Sequence, residues 1–155
     1  MGHFNKKKVV KQSQHPEGNT IKYGGNPDSY YQMRPSWCFN DCDKDKWPFT
    51  EENPGFDFWK DLLPKLKNLE TQTWQEILVN AKKQNHSIDI TKLNKCAQDR
   101  LVELHIEAES LISLRLQGQH RLYGFNNNST FHIVWYDDDH GDNDTCVCKS
   151  TLKYT

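Results

Sequence analysis

The stretch that most constrains this chain is Leu111 to His140, which reads LISLRLQGQHRLYGFNNNSTFHIVWYDDDH. Three runs in it, Leu111 to Leu116, Arg121 to Phe125 and Phe131 to Tyr136, are rich in β-branched, aromatic and leucine residues. They are separated by Gln117-Gly118-Gln119 and by Asn126-Asn127-Asn128-Ser129. Gly and Asn accept positive φ at little steric cost, so both separators read as tight turns. The pattern predicts a three-stranded antiparallel meander. A sheet this small cannot bury both faces alone, so another element must cover one of them.

Length and composition bound what that element can be. With 155 residues and 35% hydrophobic content, the chain fits one domain with a real core. The mean hydropathy of -0.93 is low, and much of the polarity sits at the two ends. A net charge of -1 and a pI near 6.6 exclude a global basic field, so contact with nucleic acid must come from a local patch. No run of eighteen apolar residues occurs, and the start MGHFNKKKVV has no apolar core of a signal peptide. The expectation is a cytoplasmic protein that does not engage a membrane.

Cys38, Cys42, Cys96, Cys146 and Cys148 make an odd count, which disfavours a disulfide scaffold. Cys38-x3-Cys42 and Cys146-x-Cys148 together offer four thiolates to one zinc, but neither has the usual two-residue knuckle spacing. They are read as ordinary reduced thiols, Cys96 as core, and no metal or cofactor is assigned. Asp41, Asp43 and Asp45 alternate as calcium-loop oxygens do, without the glycine and bidentate glutamate such a loop needs.

Residues 1–35 are polar, with Lys6-Lys7-Lys8 and several Gly and Pro, and read as a mobile arm in front of a single domain over 36–155. Ser36-Trp37-Cys38-Phe39 reads as a strand at the sheet edge. Phe56, Trp59, Leu62, Leu63, Leu66 and Leu69 fall on one helical face, which Pro64 should kink or break. Thr73-Trp74-Gln75-Glu76 is a capping box that opens a second helix, ended by Asn85-His86-Ser87. A third starts near Thr91 and turns Leu93, Cys96, Ala97, Leu101 and Leu104 inward. Trp37, Trp47, Trp59 and Trp74 read as core. The fold class is therefore α+β: three N-terminal helices packed on a three- to four-stranded antiparallel sheet.

Alternation within the meander turns Leu114, Leu116, Leu122, Ile133 and Trp135 inward and leaves Arg115, Arg121, Tyr123, His132 and Tyr136 for the other face. Arginines among rings and a histidine make a surface able to hold phosphate and stack bases. The same residues also suit an ordinary solvated face whose arginines pair with Asp137-Asp138-Asp139.

Ser113-Leu114-Arg115-Leu116, His120-Arg121-Leu122-Tyr123-Gly124, Phe131 to Asp137 and His140, with Ser36-Trp37, Trp74-Gln75-Glu76 and Asn85 to Ile88, resemble a group of uncharacterised bacterial and phage-borne proteins over roughly residues 27–140. Helices followed by a meander bearing Arg-x-Tyr-Gly and a terminal His also resemble the RelE/ParE toxin superfamily in outline. That second resemblance implies a small metal-independent ribonuclease. His140 would act as base or acid, Arg115 and Arg121 would hold phosphate, Tyr123 would stack a base or donate a proton, and Asp137 would orient His140. The pI of 6.6 and the acidic run beside the site depart from that family. RNA, a cognate antitoxin or other protein, and a second copy of the chain are the candidate partners. The alternative is a non-enzymatic interaction module, because no phosphate loop, His-Glu-x-x-His pair or Gly-x-Ser-x-Gly elbow occurs.

Overall fold

The computed structural model describes residues 21–22, 30–48, 57–138 and 147. The meander is present, as β5 (Ser110–Arg115), β6 (Arg121–Asn127) and β7 (Thr130–Asp137), paired antiparallel. Its turns use the residues expected: Gly118 has φ 52° and Asn128 φ 58°. Two more strands complete a five-stranded sheet of order β2-β7-β6-β5-β3. Strand β2 (Ser36–Cys38) lies parallel to β7, and β3 (His86–Asp89) antiparallel to β5. A separate parallel pair joins β1 (Ile21–Lys22) to β4 (Ile106–Glu107), inside and outside the stretch read as an arm; residues 1–20 and 23–29 lie outside the described residues.

Three N-terminal helices on an antiparallel sheet is therefore not the architecture. A single twelve-residue helix comes early, π-helical over Phe58–Leu62 and α-helical over Leu63–Leu69 (α1). Pro64 sits just after the winding changes from π to α, so the residue expected to break the helix instead marks a change of pitch inside it. The second helical segment, π-helical over Glu76–Asn80, does open on the capping box: Glu76 N–H donates to Thr73 Oγ1 at 3.2 Å and Thr73 N–H to Glu76 Oε1 at 2.8 Å. A strand, β3, then intervenes before the third helix, α2 (Lys95–Glu103). Its four residues bury only Ile88 and carry no readable period, so their pairing to the β5 edge is a tertiary outcome.

The helices cover both faces of the sheet. On one, Leu62, Leu66, Leu69, Trp74 and Ile77 pack on Ile112, Leu114, Leu122, Phe131, Ile133 and Tyr136. On the other, Leu93, Ala97, Leu101, Ile106 and Val147 pack with Ile88, Leu111, Tyr123, Phe125, Val134 and Trp135. A strand buried on both sides reads as a continuous apolar run, and β7 is buried at every position from Phe131 to Asp137. Trp59 is 72% exposed and Cys96 is also exposed, against their assignment to the core.

A β-bulge decides which side chain meets which layer. Tyr123 is opposite Trp135 while Gly124 is opposite Ile133, so Val134 is the extra residue. Ile133 and Trp135 would otherwise share a face, yet they enter different cores. A Cβ at Gly124 would stand 2.1 Å from the His132 carbonyl oxygen, so the close approach that makes the bulge requires glycine.

Candidate functional site

The residues singled out in the meander fall at one end of the sheet. Register places Arg115 opposite Arg121, and Arg121 opposite Asp137, so the three form one transverse row. Arg121 also stitches the β5–β6 turn, donating from Nη1 to the carbonyls of Gly118 at 2.6 Å and His120 at 3.0 Å. Asp137 is buried, and its carboxylate accepts the Val147 N–H at 2.8 Å. Tyr123 lies one alternation inward, fully buried in the second core beside Trp135, and not on a solvated surface. His132 and Tyr136 are likewise buried. His140, Cys146 and Cys148 lie outside the described residues.

Two further groups join this end, Lys65, which the sequence did not mark, and His86, which it marked as the end of a helix. Lys65, on α1, is half-buried, and burial lowers its pKa with the Arg115 charge adding to the shift. His86, at the start of β3, has its pKa lowered by burial and by the Arg121 charge, against a hydrogen bond to the Lys82 backbone that raises it. Among the described residues, no hydrogen bond or ion pair engages the Lys65 ammonium or the Arg115 guanidinium. Asn85 holds the strand end instead, its Oδ1 accepting the Arg115 backbone N–H at 2.9 Å. Cations directly across a ladder repel, and in this row the Asp137 carboxylate stands opposite Arg121 while Arg115 has Arg121 as its cross-strand neighbour. Nearby, the His120 ring stacks on Tyr136 and hydrogen-bonds its hydroxyl through Nδ1. Burial and the charges of Asp138, Asp61 and Asp137 raise the Tyr136 pKa.

The opposite edge carries different chemistry. The three aspartates of the 41–45 loop are divided among separate tasks. Asp43 is 4% exposed and accepts from Arg100 Nε and Nη2, both at 2.8 Å, and from Trp135 Nε1 at 2.9 Å. Burial alone would raise its pKa, but those bonds and the backbone N–H groups of Asp45 and Lys46 outweigh it and hold the carboxyl at about 2. Asp41 instead meets His132, with its Oδ2 2.8 Å from Nδ1. Cys38 Sγ, an Asp41 carboxylate oxygen and a His132 ring nitrogen lie within 4.8 Å of one another.

The groove beside this loop is apolar. Phe39, Cys42, Pro48, Phe58 and Leu62 line a cavity of about 350 Å³. Burial pushes the Cys42 thiol up to about 12, with Asp41, Cys38 and Asp43 adding repulsion, so it stays protonated and inert as a nucleophile. Cys38, Cys42 and Cys96 are free thiols. No described helix is long and apolar enough to cross a membrane. Comparison with known proteins finds no matching family model, no similar protein among those with curated descriptions and no solved structure that matches.

Proposed function

We propose that the domain engages RNA phosphate at the Arg115–Arg121 end of its sheet and acts as a toxin-type, metal-independent ribonuclease in a bacterial or phage cytoplasm. The observation that carries this reading is the cross-strand pairing of Arg115 with Arg121, with Lys65 and His86 close enough to feel their charge. A phosphate at this end would accept charge-assisted hydrogen bonds from Arg115 and Lys65, which are stronger than neutral ones.

The reaction asks little of the protein beyond position and proton transfer. The 2′-oxygen attacks phosphorus as a base takes its proton, the 5′-oxygen leaves as an acid supplies one, and a 2′,3′-cyclic phosphate and a 5′-hydroxyl result. The guanidinium groups of Arg115 and Arg121 neutralise the phosphorane charge. His140 follows Asp137 by three residues and takes the base or acid role. Tyr123, fully buried in the second core, is not placed to stack a base.

The test is incubation of wild type and a His140→Ala, Arg121→Ala double variant with a mixed RNA pool in EDTA, free and ribosome-bound. Cleavage to 2′,3′-cyclic phosphate ends by the wild type alone supports the reading. No cleavage by either protein in either form of RNA ends it.

A second reading, a non-enzymatic interaction module, is favoured by one other observation. Phe39 and Phe58, 43% and 38% exposed, flank the 350 Å³ cavity, and Trp59 stands beside Phe58 at 72%. Such an aromatic rim suits an apolar anchor from an antitoxin-like protein or a second copy. Sedimentation of wild type and Phe58→Ser, Trp59→Ser separates the two occupants: a dimer that the variant loses identifies a second copy, and a monomer in both excludes it.

A further inference from the structure

The cluster at the β2–β7 edge binds no RNA in the reading above and has its own chemistry. We propose that Cys38, Asp41 and His132 form a site for a single borderline-soft divalent cation, zinc in the first place, with the fourth coordination position open to water or an exogenous ligand.

The donor set argues for the metal class. One thiolate, one imidazole and one carboxylate is a combination that zinc accepts, whereas magnesium and calcium take oxygen ligands almost exclusively. Zinc bonds of about 2.0–2.3 Å at tetrahedral angles put neighbouring donor atoms roughly 3.3–3.8 Å apart. The present group is near that spacing, with Asp41 and His132 at 2.8 Å and all three donors within 4.8 Å, so small side-chain rotations open it around an ion.

The scaffold is in place without the ion. Cys38 and His132 are register partners on adjacent parallel strands, which points both side chains to one face. Asp41 follows Cys38 after two intervening residues, the interval of a metal knuckle with a carboxylate in the second position. The loop that carries it is pinned on either side. Cys42 N–H donates to the Phe39 carbonyl at 3.2 Å, and Asp43 N–H to the Val134 carbonyl at 2.9 Å. Beyond it, the Asp43–Arg100–Trp135 network ties the loop to α2 and β7. The side chains of Asp41 and His132 are each only 6% exposed. A thiol beside a buried carboxylate–imidazole pair gains little as packing, but with a cation it supplies the third ligand.

Cys42 is not part of the group. It packs against the first core and lines the apolar cavity, although it is the nearer thiol to Cys38 in the sequence. The four-thiolate zinc site suggested by Cys38, Cys42, Cys146 and Cys148 is thus a different site, and the two make opposite predictions.

The test uses the full chain, freed of metal with a chelator and titrated with Co²⁺ as a spectroscopic substitute for Zn²⁺. One equivalent is expected, with a thiolate-to-cobalt charge-transfer band and tetrahedral visible bands that Zn²⁺ abolishes. Cys38→Ser should lose the charge-transfer band and Cys42→Ser should keep it. X-ray absorption of the zinc-loaded wild type gives a reading that does not depend on the folding of Cys38→Ser: one sulfur with nitrogen and oxygen donors is expected. No thiolate band, a band that folded Cys38→Ser retains, or a shell of several sulfurs would overturn the proposal. Loss of this site leaves the EDTA-resistant ribonuclease assay unaffected, so the two proposals fail separately.

Discussion

The end of the sheet and its β2 edge handle charge in opposite ways. At the end, Lys65, Arg115 and Arg121 gather cationic groups on half-exposed positions, each supplied by a different element, beside a His86 ring that burial holds towards its neutral form and the buried Asp137 carboxylate. At the edge, Cys38, Asp41 and His132 gather electron-pair donors at buried or half-buried positions, fastened by a loop that is itself anchored through Asp43. The first arrangement suits an anion that arrives from solvent and leaves again. The second suits a cation held within the fold. Burial is the discriminating variable: a half-exposed cation keeps its hydration until a ligand displaces it, while a buried donor cluster needs its partners at all times.

The largest effect should come where the edge depends on backbone alone. Gly124→Ala puts a methyl group 2.1 Å from the His132 carbonyl oxygen, so the β6–β7 bulge must shift. A loss of about 3 kcal/mol or more is expected by urea titration, since both overpacking and register are affected. Any folded fraction should lose Co²⁺ binding before it loses anion binding, because His132 moves with the bulge and Arg115 does not.

Next is the anchor of the edge loop. Asp43→Ala leaves Arg100 and the Trp135 N–H without their shared acceptor and should cost about 3 kcal/mol, the range for breaking a buried pair. The pH dependence has a definite sign. The Asp43 carboxyl sits at about 2 when folded against 3.8 ordinarily, so its stabilisation is complete above about pH 4 and disappears as pH falls through 2. Thermal melts of wild type should decline over that interval. Asp43→Asn should lack this part of the decline, and a parallel decline in the variant would remove Asp43 as the cause.

The end of the sheet should respond more gently. Arg115→Gln should leave the melting temperature nearly unchanged, or raise it slightly by relieving repulsion, while weakening phosphate or RNA binding by roughly tenfold, about 1.5 kcal/mol for one charge-assisted contact. The slope of log affinity against log salt should fall by about one unit. Equal affinity in Arg115→Gln would break the contrast between the two regions. Smallest of all, Trp59→Ala should change stability by no more than about 0.5 kcal/mol, because the ring is 72% exposed.

The meander and its turns were legible because they depend on neighbours in sequence. Alternation put Arg115 and Arg121 on one face, but the register that sets Arg121 between Arg115 and Asp137 came only from the structure. The capping box at Thr73 was legible as the turns were. Trp59 was not: it has helical spacing with Leu62 and Leu66, but the wider winding of the π-turn over Phe58–Leu62 rotates it to solvent. The assignment of Trp135 to the side of Leu114 and Ile133 missed the bulge, for which Gly124 was the one available signal. Asp41 and His132 are 91 positions apart, and their meeting could not be read from spacing at all. Asp41 did stand out among alternating aspartates, though as a calcium-loop pattern rather than as a partner for Cys38.

What the sequence alone determined is local: where strands β5, β6 and β7 begin and turn, where one helix caps, and which end of the meander collects arginine. What only tertiary structure decided is how that meander is enclosed. A period-two pattern identifies a sheet with one dry face, but here helices cover both faces, and the apolar runs lose the contrast that marks an inside. The parallel docking of β2 and the Cys38–Asp41–His132 cluster close loops of about ninety residues, and the addition of β3 spans a whole helix before its partner strand arrives. Such contacts are selected by the burial they complete across the whole domain, and no window of neighbouring residues contains that information.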